Sequence, residues 1–195
     1  MPNLIVAGIG GQGVNALAHV LAKTFFGAGL GCQYTVHKGG AQSLGSVYAE
    51  FRVWENGKDL PLLSPAIPAG RLDYLIALDP WEALRHARLA SAQTCIWSEI
   101  QSQPFFRARQ SEQDNSEQNP IDTLLTLPLT LHTRRYRQAS RERFSTPQMA
   151  NYLAGLDCLQ ALGLQSTSHF KEHFLRRIPT SRVHFTGYVS DAETL

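Results

Sequence analysis

Residues able to do chemistry are concentrated in a few stretches of this sequence. Gly8-Ile9-Gly10-Gly11-Gln12-Gly13 carries the G-x-G-x-x-G spacing. Glycines at these positions permit a tight turn and let an anion approach the N-terminus of a following helix. A dinucleotide site of this kind also wants an acid about 20 positions on, at the end of the second strand, to hold the ribose hydroxyls. That place holds Val36, His37 and Lys38. The missing acid argues against NAD and leaves two readings of the turn open: it receives a phosphate of some other cofactor, or it is a structural tight turn.

His37 and Gln42 fall in residues 37–45 (HKGGAQSLG), a glycine-rich stretch without periodicity that reads as a loop. In open α/β sheets such a loop lies at the edge where ligands bind. Histidine is the side chain that most easily changes protonation near neutral pH, so His37 is the candidate acid or base, against the alternative of an exposed loop histidine. His169 and His173 sit four apart with Glu172 beside them, but Phe170 follows the first histidine where a zincin needs the acid, so no metal is assigned. Arg134, Arg135, Arg137, Arg141 and Arg143 form the one dense basic run, which reads as a solvated connector or as a grip on a phosphate or acidic partner. Cys32, Cys95 and Cys158 are too far apart for an iron–sulfur cluster held by this chain alone, and their odd number fits a reducing cytoplasm. Cys95 falls inside a predicted strand and reads as buried rather than nucleophilic.

The elements that must position these residues follow from pattern and punctuation. Residues 3–8 (NLIVAG) read as a buried strand, 14–28 as a helix with Gly29 as its cap, and 32–36 as a second strand. Residues 46–54 alternate, with Val47, Ala49, Phe51 and Val53 on one side, and predict a half-buried strand; Asn56-Gly57 then predicts a hairpin turn toward residues 60–63. Residues 64–70 (SPAIPAG) read as an ordered loop and 72–78 as a strand. Asp79, Pro80 and Glu82 supply an N-cap, a first-turn proline and a first-turn acid for a helix to about residue 89. A strand is expected over 94–98, a polar excursion over 101–120, and another strand over 123–131 with Pro128 at an edge or bulge. Helices close the chain from 146 to 163 and from 168 to 178. The alternation predicts a single-domain α/β fold over residues 1–195, a three-layer α/β/α sandwich with a mixed, mostly parallel sheet and a Rossmann-like first βα turn.

Composition sets the outer bounds. The 195 residues hold 18 Lys or Arg and 16 Asp or Glu, a formal charge of +2, with 17% charged and 43% hydrophobic residues. That supports a full core and excludes global disorder, and the field is too small to drive strong nonspecific nucleic-acid binding. No apolar run approaches the roughly 18 residues of a membrane helix, and no signal peptide is expected, so the chain reads as a soluble, cytoplasmic protein.

Taken together, several segments resemble the gamma-subunit family of the 2-oxoacid:ferredoxin oxidoreductases, the pyruvate/ketoisovalerate oxidoreductase catalytic domain, and within it the indolepyruvate beta-subunit type. Gly8 to Gly13, including Gln12, match the family's Gly-x-Gly-Gly-Gln-Gly. His37-Lys38-Gly39-Gly40-Ala41-Gln42-Ser43-Leu44-Gly45-Ser46-Val47 resembles its His-Gly-Met-Ala-Gln-Arg-Gly-Gly-Ser-Val, with one extra residue, Ser43 in place of arginine and Leu44 in place of glycine. Ser64 to Gly70, Leu78 to Arg85, and Pro147 with Ala150-Asn151 are similar to further family segments in the same order. The resemblance implies a subunit of an enzyme that oxidatively decarboxylates a 2-oxoacid, transfers the acyl group to coenzyme A and reduces ferredoxin. It implies that thiamine diphosphate and iron–sulfur clusters reside on a large partner, with no cofactor held by this chain alone and a homodimer possible. Gly8, Gly10, Gly11, Gln12, Gly13, Gly39, Gly40, Gln42, Gly45 and Ser46 would then face the partner or coenzyme A. Two other readings stay open: a free-standing NAD(P) oxidoreductase in which Lys38 meets a 2′-phosphate, and a nucleic-acid or acidic-partner module using the arginine run.

Overall fold

The computed structural model describes residues 2–39, 45–55, 64, 66–102, 119–144, 149–164 and 167–176. Strand β1 (Asn3–Ile9) is almost wholly buried and leads through the glycine turn into α1 (Val14–Gly27). Gly29 stands just beyond α1 with φ 77° and ends it as expected. β2 (Leu30–Lys38) and β3 (Ser46–Glu55) follow; the hairpin expected at Asn56-Gly57 lies outside the described residues. Next come β4 (Leu72–Ala77), α2 (Pro80–Ala87) and β5 (Ala90–Glu99). The Asp79 side chain accepts the Trp81 backbone N–H at 3.0 Å, the N-cap that the sequence signals. The bulk of the polar excursion lies outside the described residues. Beyond it are α3 (Pro120–Leu125), β6 (Thr130–Arg134), α4 (Tyr136–Phe144), α5 (Ala150–Ala161) and α6 (Thr167–Leu175).

The six strands run in the order β2-β3-β1-β4-β5-β6. β3 is antiparallel to both β2 and β1, whereas β1, β4, β5 and β6 pair in parallel, so the sheet is mixed and mostly parallel. Helices α1, α4, α5 and α6 cover one face through Leu17, Leu21, Phe25, Phe144, Tyr152 and Phe170. The other face carries α2 and α3, where Ala83, Ile121 and Leu124 meet Ile5, Leu75 and Ile96. The three-layer architecture is the one expected. Among the described residues no helix is long and apolar enough to cross a membrane.

Three expectations are corrected. Residues 120–125 are helical and β6 starts only at Thr130, where a strand over 123–131 was expected. The Asn119 side chain accepts the Ile121 N–H at 3.1 Å, Pro120 opens the helix and Asp122 sits in its first turn; this capping outweighs the apolar content of the stretch. The arginine run is no open connector, because Arg134 ends β6 and α4 begins at Tyr136, which is 3% exposed. β3 is half-buried as expected: Ala49, Phe51 and Val53 are buried, while on its other side Tyr48, Arg52 and Trp54 are only partly covered and Glu50 alone is buried. Cys95 is half-buried rather than buried, and burial pushes its thiol pKa up.

Candidate functional site

The glycine turn, the end of β2 and the start of β3 meet at one edge of the sheet. Within the turn Gly13 has φ 78°, and a Cβ there would stand 2.4 Å from Asn151 Nδ2, so only glycine fits on both counts. Gly8 is equally crowded: a Cβ would lie 2.5 Å from Gln12 Oε1 and 2.9 Å from Val14. Gln12 folds back to close the turn. Its Oε1 accepts the Ile9 N–H at 2.9 Å and its Nε2 donates to the Leu78 carbonyl at 3.2 Å, tying the ends of β1 and β4 together. α1 starts from Gly13 without a side-chain cap, and the first N–H groups of a helix have no partner within it. Those backbone donors, and not the Gln12 amide, are what this turn can offer an anion.

The second loop is anchored to the first. The Gly10 N–H donates to the Gly45 carbonyl, and the Gly39 N–H to the Ser46 carbonyl, both at 2.8 Å. Gly8, Gly10, Gly11, Gln12, Gly13, Gly39, Gly45 and Ser46 therefore share one edge; Gly40 and Gln42 lie outside the described residues. His37 is a strand residue, next to last in β2, rather than a loop residue.

Buried acids gather beneath this edge. The His37 Nε2–H donates to Glu50 Oε2 at 2.9 Å, with the imidazole 40% and the carboxylate 8% exposed. Glu50 Oε1 accepts the Ile67 N–H at 3.3 Å. The His37 ring stacks on Tyr48 at 4.5 Å between centroids and 14° between planes, and Tyr48 also meets the ring of His86 at 4.4 Å. Burial, followed by the Glu50 charge, raises the Tyr48 phenol pKa against a lowering by Arg88. Ser46 donates to Glu82 Oε2 at 2.6 Å, while Arg85 Nε donates to Glu82 Oε1 at 3.1 Å. His86 Nε2 lies 3.8 Å from Glu82, beyond hydrogen-bond reach, and neither ring nitrogen has a partner among the described residues. Burial, then the charges of Arg85, Arg88 and His37, pushes the His86 pKa down to about 4. The imidazole is therefore neutral at pH 7.

Sequence reasoning found His37 and Ser46 but missed Glu50, Glu82 and His86. The available signal for Glu50 was its place on the polar side of an alternating strand. Glu82 was read only as a first-turn acid of α2, and nothing local announces that it receives Ser46 from 36 positions away. The strand order also explains why the search for a ribose-binding acid at the end of β2 came up empty. β3 separates β2 from β1, so that end lies two strand spacings, about 10 Å, from the glycine turn. The acid that does reach His37 comes from β3. The arginine run lies elsewhere, with Arg134 Nε and the Tyr136 hydroxyl donating to Asp157 Oδ2 at 2.9 and 2.8 Å.

A family profile described as pyruvate ferredoxin/flavodoxin oxidoreductase matches residues 3–185. The chain belongs to this family. Within it, the indolepyruvate oxidoreductase subunit IorB of Archaeoglobus fulgidus is 35% identical over 94 residues, 48% of this chain and 44% of that relative. IorB of Thermococcus kodakarensis is 31% identical over 84 residues, 43% of this chain and 39% of its own length. The aligned stretch thus spans less than half the length of these curated relatives. The fold is that of pyruvate oxidoreductase subunit PORC from Thermotoga maritima, with TM-score 0.64, 11% identity, and 93% of this chain and 87% of that chain covered. It is also that of the gamma subunit of a keto/oxoacid ferredoxin oxidoreductase from Geobacter sulfurreducens, with TM-score 0.62, 14% identity, and 93% and 89% covered.

The cofactors implied for this oxidoreductase family can be tested against the residues present. Cys32, Cys95 and Cys158 are free thiols; Cys158 is fully buried, and burial pushes the Cys32 pKa up to about 11. Such thiols do not fit a cluster, which binds thiolates. Among the described residues no group of three or more His, Cys, Asp or Glu could hold a metal ion, including one that would anchor a diphosphate. The uncapped α1 terminus does fit an anionic group such as a phosphate of coenzyme A.

Proposed function

We propose that this chain is the small, gamma-type subunit of a 2-oxoacid:ferredoxin oxidoreductase, inactive alone and paired with a large subunit that carries thiamine diphosphate and iron–sulfur clusters. The observation that carries this reading is the family match from residue 3 to 185, since it includes both loops at the candidate edge. Thiamine diphosphate, when bound by the partner, would supply the decarboxylating chemistry, with coenzyme A as acyl acceptor and ferredoxin as electron acceptor. An arylpyruvate such as indolepyruvate is the substrate class suggested by the IorB relatives.

In this reading the edge formed by the glycine turn and the β2–β3 loop faces the partner. The α1 backbone donors receive an anionic group, Gln12 keeps the turn closed, Ser46 is held by Glu82, and His37 is the acid or base at the rim. Cytoplasmic residence and a homodimer of the chain within the assembly belong to the same reading. The test is reconstitution with the large subunit. Coenzyme A-dependent ferredoxin reduction by an arylpyruvate in the assembled enzyme, with no turnover by the isolated chain, is the expected result. Turnover by the isolated chain at enzymatic rates overturns it, as does a large subunit that is fully active without this chain.

A further inference from the structure

The strongest cluster of titratable groups outside the glycine turn is the set beneath His37, and its parts are fixed to different degrees. Glu50 is held at both oxygens, by the Ile67 N–H and by His37 Nε2. The imidazole is held in two ways at once: stacking on Tyr48 sets the plane of the ring, and the bond to Glu50 sets its rotation within that plane. A carboxylate can only accept, so Nε2 must carry the proton of the neutral ring. Nδ1 is left as the acceptor, on the side of the ring away from Glu50. The exposures agree, because the ring is half-exposed while its carboxylate partner is buried.

We propose that Glu50 is the positioning residue for His37: it fixes the imidazole as the Nε2–H tautomer and presents the Nδ1 lone pair as a proton acceptor at the rim of the glycine loops. This rests on the reading of that edge as the one turned to the reacting partner. The step it supports is simple and balanced. An S–H or O–H of a group held at the rim gives its proton to Nδ1, the bonding pair stays on the sulfur or oxygen, and the resulting imidazolium is stabilised by the Glu50 carboxylate. The half-exposed ring then returns the proton to water. A solvated histidine without a fixed partner would leave ring plane and tautomer free.

Two measurements test it. In the full chain with ¹⁵N-labelled histidine, the nitrogen shifts of neutral His37 are expected to report the Nε2–H tautomer. Glu50→Gln keeps an acceptor oxygen and should preserve that tautomer, whereas Glu50→Ala should give a mixture. A mixture in the unaltered protein, or the Nε2–H form retained in Glu50→Ala, overturns the inference without touching the subunit reading. In the enzyme assembled with its large subunit, Glu50→Gln and Glu50→Ala should lower kcat by roughly tenfold to a hundredfold at nearly constant KM. Once His37→Gln is present, Glu50→Gln should cost nothing more. Equal losses in both backgrounds mean that Glu50 acts by another route and overturn the proposal. Full activity of His37→Gln overturns the catalytic half together with the reading of this edge, while leaving the tautomer result standing. Glu50→Gln keeps both tests decisive if Glu50→Ala fails to fold.

Discussion

Two buried glutamates of the same sheet, one at a strand end and one in mid-strand, are held in opposite ways. Glu99, the last residue of β5, is 1% exposed and fully occupied by its own surroundings. Its Oε1 accepts the N–H groups of Ile100 and Gln101 at 2.9 and 3.1 Å, and its Oε2 accepts the Arg137 N–H at 3.1 Å with Arg137 Nε at 3.7 Å. Glu50 in β3 gives one oxygen to a backbone N–H and the other to a half-exposed imidazole. A buried carboxylate is therefore no sign of function by itself. What separates the two is the partner: Glu99 clamps a turn, whereas Glu50 holds a side chain that solvent can reach.

The comparison can be broken where the effect is largest. Glu99→Gln puts an amide donor against Arg137 and removes a buried charge pair, and should lower stability by about 4 kcal/mol in a urea titration while leaving the His37 tautomer unchanged. A cost below about 1 kcal/mol would make Glu99 no clamp.

His86 sharpens the contrast from the other side, as a buried imidazole with no hydrogen-bond partner among the described residues. Its folded pKa of about 4 lies below the ordinary 6.5, so between these values the unfolded chain binds the extra proton. The stability that the neutral ring permits is complete above pH 6.5 and is lost as pH falls through about 4, a decline of about 3 kcal/mol. Arg85, Arg88 and His37 oppose the charged form, and Glu82 and Tyr48 stand beside the ring. His86→Leu should flatten that acid limb in chemical denaturation measured from pH 7 to 4, and an unchanged slope would assign the limb to other groups.

Gln12→Ala leaves the Ile9 N–H and the Leu78 carbonyl without their partner, and should cost about 2 kcal/mol of unfolding free energy. If Gln12 instead serves a ligand, the same change would cost little in the isolated chain and much in the assembled enzyme. Glu50→Gln should be the mildest in stability, about 1 kcal/mol, and the difference between Glu99→Gln and Glu50→Gln in denaturation is the comparison in a single number.

How far this could be read from sequence depends on the range of each interaction. β1, the start of α1, and the Asp79-Pro80 opening of α2 were legible because strand burial, glycine turns and caps are written within a few residues. The helix at Pro120 was missed although Asn119, Pro120 and Asp122 announce it, because those residues were read as the end of the polar excursion and the apolar stretch after them as a strand. His37 was legible as a residue type, but its partner was not. Glu50 reaches it only because β2 and β3 pair with His37 opposite Tyr48, a register set by long-range packing. The same holds for Glu82 with Ser46 and for Arg134 with Asp157.

The placement of β3 also governs how the sheet can assemble. β1 cannot pair with β2, its neighbour through α1, and its ladder partners run from Arg52 back to Ser46 on one side and from Tyr74 to Ala77 on the other. Within this chain β1 thus has no ladder partner until β3, which begins at Ser46, has followed it. Such distant pairing carries a loop-closure entropy that slows the search for the native sheet. During that interval β1, buried from Leu4 to Ile9 in the finished fold, is an open edge that an early-arriving partner or chaperone could cover.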